Sequence, residues 1–151
     1  MPLLSVDQFA ARMSEAIPVI MKEFARRHLV DICHEKITLP QMLILNALHT
    51  RGEVKMKDLA ICLRVSMPAM TGIISRLVRD KYCQRVYQEQ DRRIIKVRLT
   101  AKGEAFLEKV NAGRKQMILK VFSKISDKDR QDYLRIITQI KDILIKGQDE
   151  Q

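Results

Sequence analysis

Residues 66–79 place small, hydroxyl-bearing and basic side chains along one side of a predicted helix. At about 100° per residue, Met70, Ile73, Ile74 and Leu77 share the opposite, apolar side. A small polar face of this kind can enter the major groove of DNA, where hydroxyl and guanidinium groups reach base edges and phosphates. We predict that this face, its first turn and its cap contact double-stranded DNA through Ser66, Pro68, Ala69, Thr71, Gly72, Ser75, Arg76 and Arg79.

A second candidate DNA contact is the charged turn formed by Asp91, Arg92 and Arg93. Arginines on a protruding turn can enter a minor groove, whose negative potential favours a guanidinium group. Asp91 would repel phosphate if it were free, so we expect it to pair with Arg93 or with Arg76. Taken alone, such a turn is more typical of an ordinary charged loop, and only its place in the chain favours a DNA contact.

Two short predicted helices position the first of these faces. They span Lys57–Leu63 and Met67 to about Lys81, with Ser66 as the N-cap of the second and Pro68 in its first turn. Ala60 supplies the small side chain that two closely crossing helices require. The apolar contacts expected between them come from Leu59, Leu63, Val65, Met70 and Ile73. Two predicted strands then follow, at Cys83–Gln88 and Ile94–Leu99, and the charged turn joins them, which indicates a helix-turn-helix with a β-hairpin wing.

Longer helices are predicted on both sides of this unit. A helix from about Ser5 to Ile32 should be kinked by Pro18, and a capping box at residues 38–41 opens a second helix that ends near Gly52. Thr100 and Ser126 are the predicted caps of two C-terminal helices.

The predicted fold is therefore mainly α. A winged helix-turn-helix domain with a two- to three-stranded sheet occupies residues 37–100, between dimerisation helices at 1–36 and 101–151. Neither terminal segment has enough partners within one chain to cover its apolar stripe. We expect a homodimer in which two chains intertwine their ends.

The charge balance points to a polyanionic partner. The chain carries 28 Lys+Arg and 18 Asp+Glu, a net charge of +10. Residues 51–98 hold 12 against 5, or +7, whereas the other 103 residues hold 16 against 13, or +3. A local basic excess is typical of a nucleic-acid-binding surface, although a solvated basic face has the same composition.

Composition also bears on the cellular compartment. The longest apolar run, residues 16–21, is far too short to span a bilayer, and no secretory signal is visible. Three cysteines at wide spacing do not suggest a disulfide framework. We predict a cytoplasmic protein with no membrane partner.

With these residues in place, the chain resembles the MarR family of winged helix-turn-helix transcriptional regulators from about Thr38 to Gly103. The order and spacing of several short segments carry the resemblance: Leu39-Pro40-Gln41, Leu59-Ala60, Val65-Ser66-Met67-Pro68-Ala69-Met70-Thr71, Arg76-Leu77, Arg85, Asp91-Arg92-Arg93 and Leu99-Thr100-x-x-Gly103.

The resemblance implies an obligate dimer that binds a pseudo-palindromic operator, usually as a repressor. It implies that Arg93 is the wing arginine for the minor groove and that Asp91 orients it. It also implies release by a small aromatic or phenolic effector, although some members sense oxidants through a cysteine, or a metal.

Two positions depart from the family pattern: Pro18 interrupts a helix often drawn as continuous, and Tyr82 stands where a glycine is usual. The turn at Tyr82 must therefore differ, or Tyr82 must adopt a left-handed backbone.

No catalytic site, cofactor or metal site is predicted. The five glycines form no nucleotide-binding or nucleophile-elbow motif, and His34-Glu35 lacks the second histidine of a zinc-protease motif because Thr38 takes its place.

Among the cysteines, Cys33 is the candidate redox sensor because basic residues surround it in the sequence. Cys62 and Cys83 are predicted to be inert fillers of the core. Two alternatives to a ligand-released repressor stay open: a non-specific architectural DNA-binding protein, and a redox- or metal-responsive regulator of the same fold. A winged helix that binds protein or RNA is disfavoured by the basic segment and by the shortage of aromatics for base stacking.

Overall fold

The computed structural model describes residues 4–35, 37–87 and 94–147, except for the side chains of residues 25 and 27–35. Its elements are α1 (Val6–Glu35), α2 (Leu39–Arg51), β1 (Val54–Lys55), α3 (Met56–Leu63), α4 (Met67–Arg79), β2 (Cys83–Tyr87), β3 (Ile95–Leu99), α5 (Ala101–Phe122) and α6 (Asp127–Lys146). The prediction of a mainly α, winged helix-turn-helix fold is confirmed. No single described helix is long and apolar enough to cross a membrane. The helices α3 and α4 reach that length and composition only when they are counted together, and the chain bends sharply between them.

The wing is a three-stranded antiparallel sheet in the order β1-β3-β2. Both predicted strands are confirmed, with Cys83 opposite Leu99 and Tyr87 opposite Ile95. The third strand, β1, pairs Val54 with Val97. This short strand ties the end of α2 to the wing.

The helix-turn-helix is formed by α3 and α4, between which the chain bends by 111°. Arg64 makes the turn in the left-handed region, at φ 52°, and the Val65 amide donates to the Ala60 carbonyl at 3.0 Å. Leu59 and Ala60 are buried in one core with the apolar side of α4. The predicted small residue therefore lies at the crossing.

Three predicted helix ends are confirmed, namely the start and the end of α2 and the start of α4. The Gln41 side-chain oxygen accepts from the Thr38 amide at 2.8 Å, and Gly52 ends α2 at φ 74°. The Ser66 hydroxyl accepts from the Ala69 amide at the start of α4. At the other end α4 stops at Arg79, two residues before the predicted Lys81. Pro18 lies inside α1, which is assigned as helix from Val6 to Glu35.

The turn between α4 and β2 excludes one of the two expectations for Tyr82, a left-handed backbone at that residue. The left-handed residue is Lys81, at φ 63°, whereas Tyr82 is buried and its ring lies 5.2 Å from that of Phe106, centroid to centroid. The Thr100 amide donates to the Tyr82 carbonyl at 3.1 Å, and the Thr100 hydroxyl donates to the Lys81 carbonyl at 2.6 Å. The large side chain thus fills the core while its neighbour takes the unfavourable backbone conformation.

Gly103 lies against the same turn. A Cβ atom at this position would be 2.1 Å from the Tyr82 carbonyl oxygen, a separation that real side chains do not adopt. The spacing Leu99-Thr100-x-x-Gly103 therefore has a physical cause. Thr100 binds the turn, and Gly103 lets the first turn of α5 approach its backbone.

The chain divides into two compact units, residues 1–113 and 114–151. In the first, α1 exposes Phe9, Ile17 and Ile20. In the second, the ring of Phe122 lies 5.2 Å from that of Tyr133, and the Arg130 guanidinium donates to the Phe122 carbonyl at 3.0 Å. Helix α6 exposes the apolar residues Leu134, Ile136, Ile137, Ile140 and Leu144. In the single chain, α1 and α6 thus each expose apolar side chains to solvent.

Candidate nucleic-acid interface

Helix α4 is anchored by one side and open on the other. Met70, Ile74 and Leu77 are fully buried, each at 0% exposure. The eight α4 and cap residues predicted to face DNA lie on the other side, and all of them are exposed except Gly72, which is half-buried. We call this set, Ser66, Pro68, Ala69, Thr71, Gly72, Ser75, Arg76 and Arg79, the outer face of α4. The structure therefore brings these side chains together on one accessible surface of a firmly packed helix.

The two arginines of the outer face have different surroundings. Arg76 lies along its own helix and donates from Nε to the Gly72 carbonyl at 3.3 Å. Arg79 binds the neighbouring Asp80 with two hydrogen bonds, at 2.9 and 3.3 Å. These bonds and the opposite charge raise the pKa of Arg79, and the bond from Arg79 is the main reason that the pKa of Asp80 is lowered. At neutral pH the charge of Arg79 is thus already paired with that of Asp80, whereas Arg76 donates to an uncharged backbone carbonyl.

A contact from the wing reaches the outer face of α4. Arg85, on β2, donates from Nη2 to the Ser75 hydroxyl at 2.7 Å. In the sequence, Arg85 is marked only as a piece of the family resemblance, and its contact with Ser75 was not predicted. The available signal was the alternation along the strand, because Arg85 follows Cys83 by two residues and so shares its inward side.

The wing tip, with Asp91, Arg92 and Arg93, lies outside the described residues. The predicted pairing of Asp91 with Arg93 or Arg76 therefore stays a prediction. The structure describes the two strands that this segment connects, and Tyr87 and Ile95 form their last pair before it.

The structure corrects one prediction about the cysteines. Cys62 is exposed on α3 rather than buried in the core with Leu59 and Ala60. Cys83 is buried as predicted, and its burial raises the pKa of the thiol to about 11. The side chain of Cys33 is outside the described part of the chain. Among the described residues no three His, Cys, Asp or Glu side chains come together in a group that could hold a metal ion.

These environments predict different cysteine reactivities. In the native protein at pH 7.5, an alkylating reagent should modify Cys62 rapidly and leave Cys83 unmodified, because only the thiolate reacts and Cys83 is both inaccessible and protonated. Peptide mass mapping over time would measure this, with labelling in denaturant as the control in which every cysteine reacts. Equal native rates at Cys62 and Cys83 would contradict the placement of the strand, and the same maps report the rate at Cys33.

The glycine on the outer face permits a test that separates folding from binding. A Cβ at Gly72 would meet only the tip of Arg76, at 4.0 Å, so Gly72→Ala has room and should stabilise the fold by about 0.5–1 kcal/mol through helix propensity. The same methyl group would intrude on a close DNA contact and weaken operator binding by about 1–3 kcal/mol. Thermal unfolding and DNA titration of one preparation measure both effects. Unchanged operator affinity would show that Gly72 does not lie against DNA.

The fold and the exposed outer face of α4 define a winged helix-turn-helix protein. The family model for the MarR family matches residues 37–95. The transcriptional repressor MdtR of Bacillus subtilis is 25% identical over 125 residues, which cover 83% of this chain and 81% of MdtR. A crystal structure of the YusO protein from Bacillus subtilis has a TM-score of 0.75 at 23% identity, covering 92% of this chain and 99% of YusO. A MarR family protein from Bacillus stearothermophilus has a TM-score of 0.79 at 20% identity, covering 94% of this chain and 99% of that protein.

This chain thus resembles the MarR family of helix-turn-helix transcriptional regulators over residues 37–95. The matched segment contains α2, β1, α3, α4 and β2 and ends at the start of β3. The outer face of α4 therefore lies within the part of the chain that carries the family match.

Proposed function

We propose that this protein is a repressor that binds a pseudo-palindromic DNA operator as a homodimer. The observation that carries the proposal is the outer face of α4, which is small, polar and basic and is held by the buried Met70, Ile74 and Leu77. A helix that is rigidly packed on one side can present such a face to the major groove. The name of the relative MdtR, a transcriptional repressor, supports repression over activation.

Dimerisation is supported by the exposed apolar residues of α1 and α6. Burying apolar surface contributes about 25 cal/mol per Å², so several such side chains on each helix favour a permanent partner. Regulators of the MarR family bind DNA and form dimers. We assign the terminal segments 1–36 and 101–151 to the dimer and residues 37–100 to DNA binding, in a cytoplasmic protein without catalytic activity.

Selection of bound genomic fragments by the purified protein at near-physiological salt tests this proposal. It should enrich a pseudo-palindrome with half-sites about one helical turn apart, since two recognition helices of a dimer contact successive major grooves. Inserting about five base pairs between the half-sites turns one of them to the other side of the duplex and should abolish tight binding. Retained binding after the insertion would contradict a dimer that spans both half-sites.

We also propose that a small aromatic or phenolic effector releases the operator, on the basis of the family resemblance. A panel of small phenols and aromatic carboxylates, added to the preformed complex, should include compounds that lower operator occupancy. Binding of such a compound without any loss of occupancy would count against release.

The concentration of basic residues favours one other candidate, a non-specific architectural protein. Its +7 segment would then bind any duplex through phosphates, with an affinity that falls steeply with salt. The fragment selection separates the two, because an architectural binder enriches no common sequence.

A further inference from the structure

The hydrogen bond between Arg85 and Ser75 joins the wing to the outer face of α4. Its length, 2.7 Å, is short, as expected for a charged donor. Arg85 is opposite Val97, which is completely buried, so the two side chains share the inward side of the sheet. The half-buried Arg85 therefore crosses from the wing toward α4, and its guanidinium ends on an exposed hydroxyl.

This contact fixes which hydrogen-bonding role Ser75 has left to play. A serine hydroxyl has one proton to donate and two lone pairs that accept. Arg85 occupies an acceptor position, and no acceptor for the hydroxyl proton of Ser75 is found among the described residues. A hydroxyl that accepts from a cation is also polarised, which strengthens it as a donor.

We propose that Arg85 is a positioning residue that makes Ser75 a hydrogen-bond donor to a base edge in the major groove. The acceptors there are the N7 of a purine, the O6 of guanine and the O4 of thymine, whereas cytosine offers an amino donor. The operator is accordingly read at one position as any base except cytosine on the contacted strand. This inference rests on the proposed function, because it assumes that α4 reads an operator.

A double-mutant cycle on the operator tests the coupling, with Ser75→Ala, Arg85→Met and the pair combined. Ser75→Ala should lower operator affinity about five- to tenfold, the effect of one net hydrogen bond. Arg85→Met should cause a similar loss in the wild-type chain and no further loss in Ser75→Ala. Both single variants should accept cytosine at the position that the wild type rejects, and the salt dependence of binding should not change.

Arg98→Met is the matched control, because it removes the same charge from the adjacent strand position on the other side of the sheet. Its loss of affinity should be the same for every duplex and should not relax the base preference. Thermal unfolding verifies that each variant is folded. If Arg85→Met does not fold, Arg85→Gln replaces it, since it keeps a polar end but removes the charge and is too short to reach Ser75, and it should lose the base preference as well.

The outcomes separate this inference from the proposed function. Equal losses from Arg85→Met in both backgrounds, or a loss for all duplexes with a shallower salt dependence, would overturn the positioning role and indicate a phosphate contact. A wild-type protein that prefers no sequence would overturn the inference and the proposed function together. Coupled losses with relaxed preference at one base pair support both.

Discussion

Gly103→Ala is expected to destabilise the native state by roughly 2–4 kcal/mol, within or just above the usual cost of overpacking. The added Cβ would lie 2.1 Å from the Tyr82 carbonyl oxygen and 3.1 Å from Leu99 Cδ2, and the nearer of these atoms is backbone that cannot rotate away. To relieve the clash, α5 must move from the turn that Thr100 binds, which breaks the link between α4 and the wing. Denaturant unfolding with linear extrapolation measures the loss.

Gly72→Ala is the matched control for this prediction. Both changes add one methyl group to a helical glycine of the same unit, but only Gly103 has backbone in the way. Opposite signs of the two changes in unfolding free energy are therefore expected. A loss below about 0.5 kcal/mol for Gly103→Ala, the usual size for a neutral surface change, would show that α5 does not approach Tyr82 so closely.

Arg93→Ala is expected to weaken operator binding by about 1–3 kcal/mol, or roughly 5- to 150-fold. The prediction rests on the family resemblance, which implies that Arg93 is the minor-groove arginine of the wing. Because a guanidinium in a narrow minor groove also reads groove width, the loss should be greater on an operator with an A·T-rich flank than on one with a G·C-rich flank. Titration of both duplexes at one salt concentration measures the difference.

Arg98→Ala serves as the control for the loss of charge from the wing. With the Gln84 amide oriented so that its oxygen faces the guanidinium, Arg98 donates to that oxygen at 2.6 and 2.8 Å. Its replacement should change binding to all sequences alike. Operator affinity unchanged by Arg93→Ala, or a loss equal to that of Arg98→Ala on every duplex, would remove the wing from specific recognition.

Much of this fold could be predicted because its signals are local. The apolar spacing of Met70, Ile74 and Leu77 indicated the buried side of α4, and Ser66 indicated where α4 begins. Caps and helix periodicity depend on residues within four positions of each other, so a single sequence displays them.

The features that sequence reasoning missed depend on contacts between distant segments. A two-residue strand such as β1 has no alternation to detect, and its pairing with β3 spans about forty residues. Helix periodicity could not show that Cys62 is exposed, because the neighbours of α3 decide which of its sides is covered. The contact of Arg85 with Ser75 likewise requires β2 to pack on α4.

Titration of the selected operator against a scrambled duplex of the same composition, at two salt concentrations, tests whether this protein recognises a specific DNA sequence. A sequence-specific dimeric regulator should prefer the operator about 10³-fold or more, with one dimer bound per duplex. That preference should persist at the higher salt while both affinities fall together. Equal affinities for the two duplexes, lost steeply as salt rises, would contradict the account and leave only a basic surface that binds phosphate.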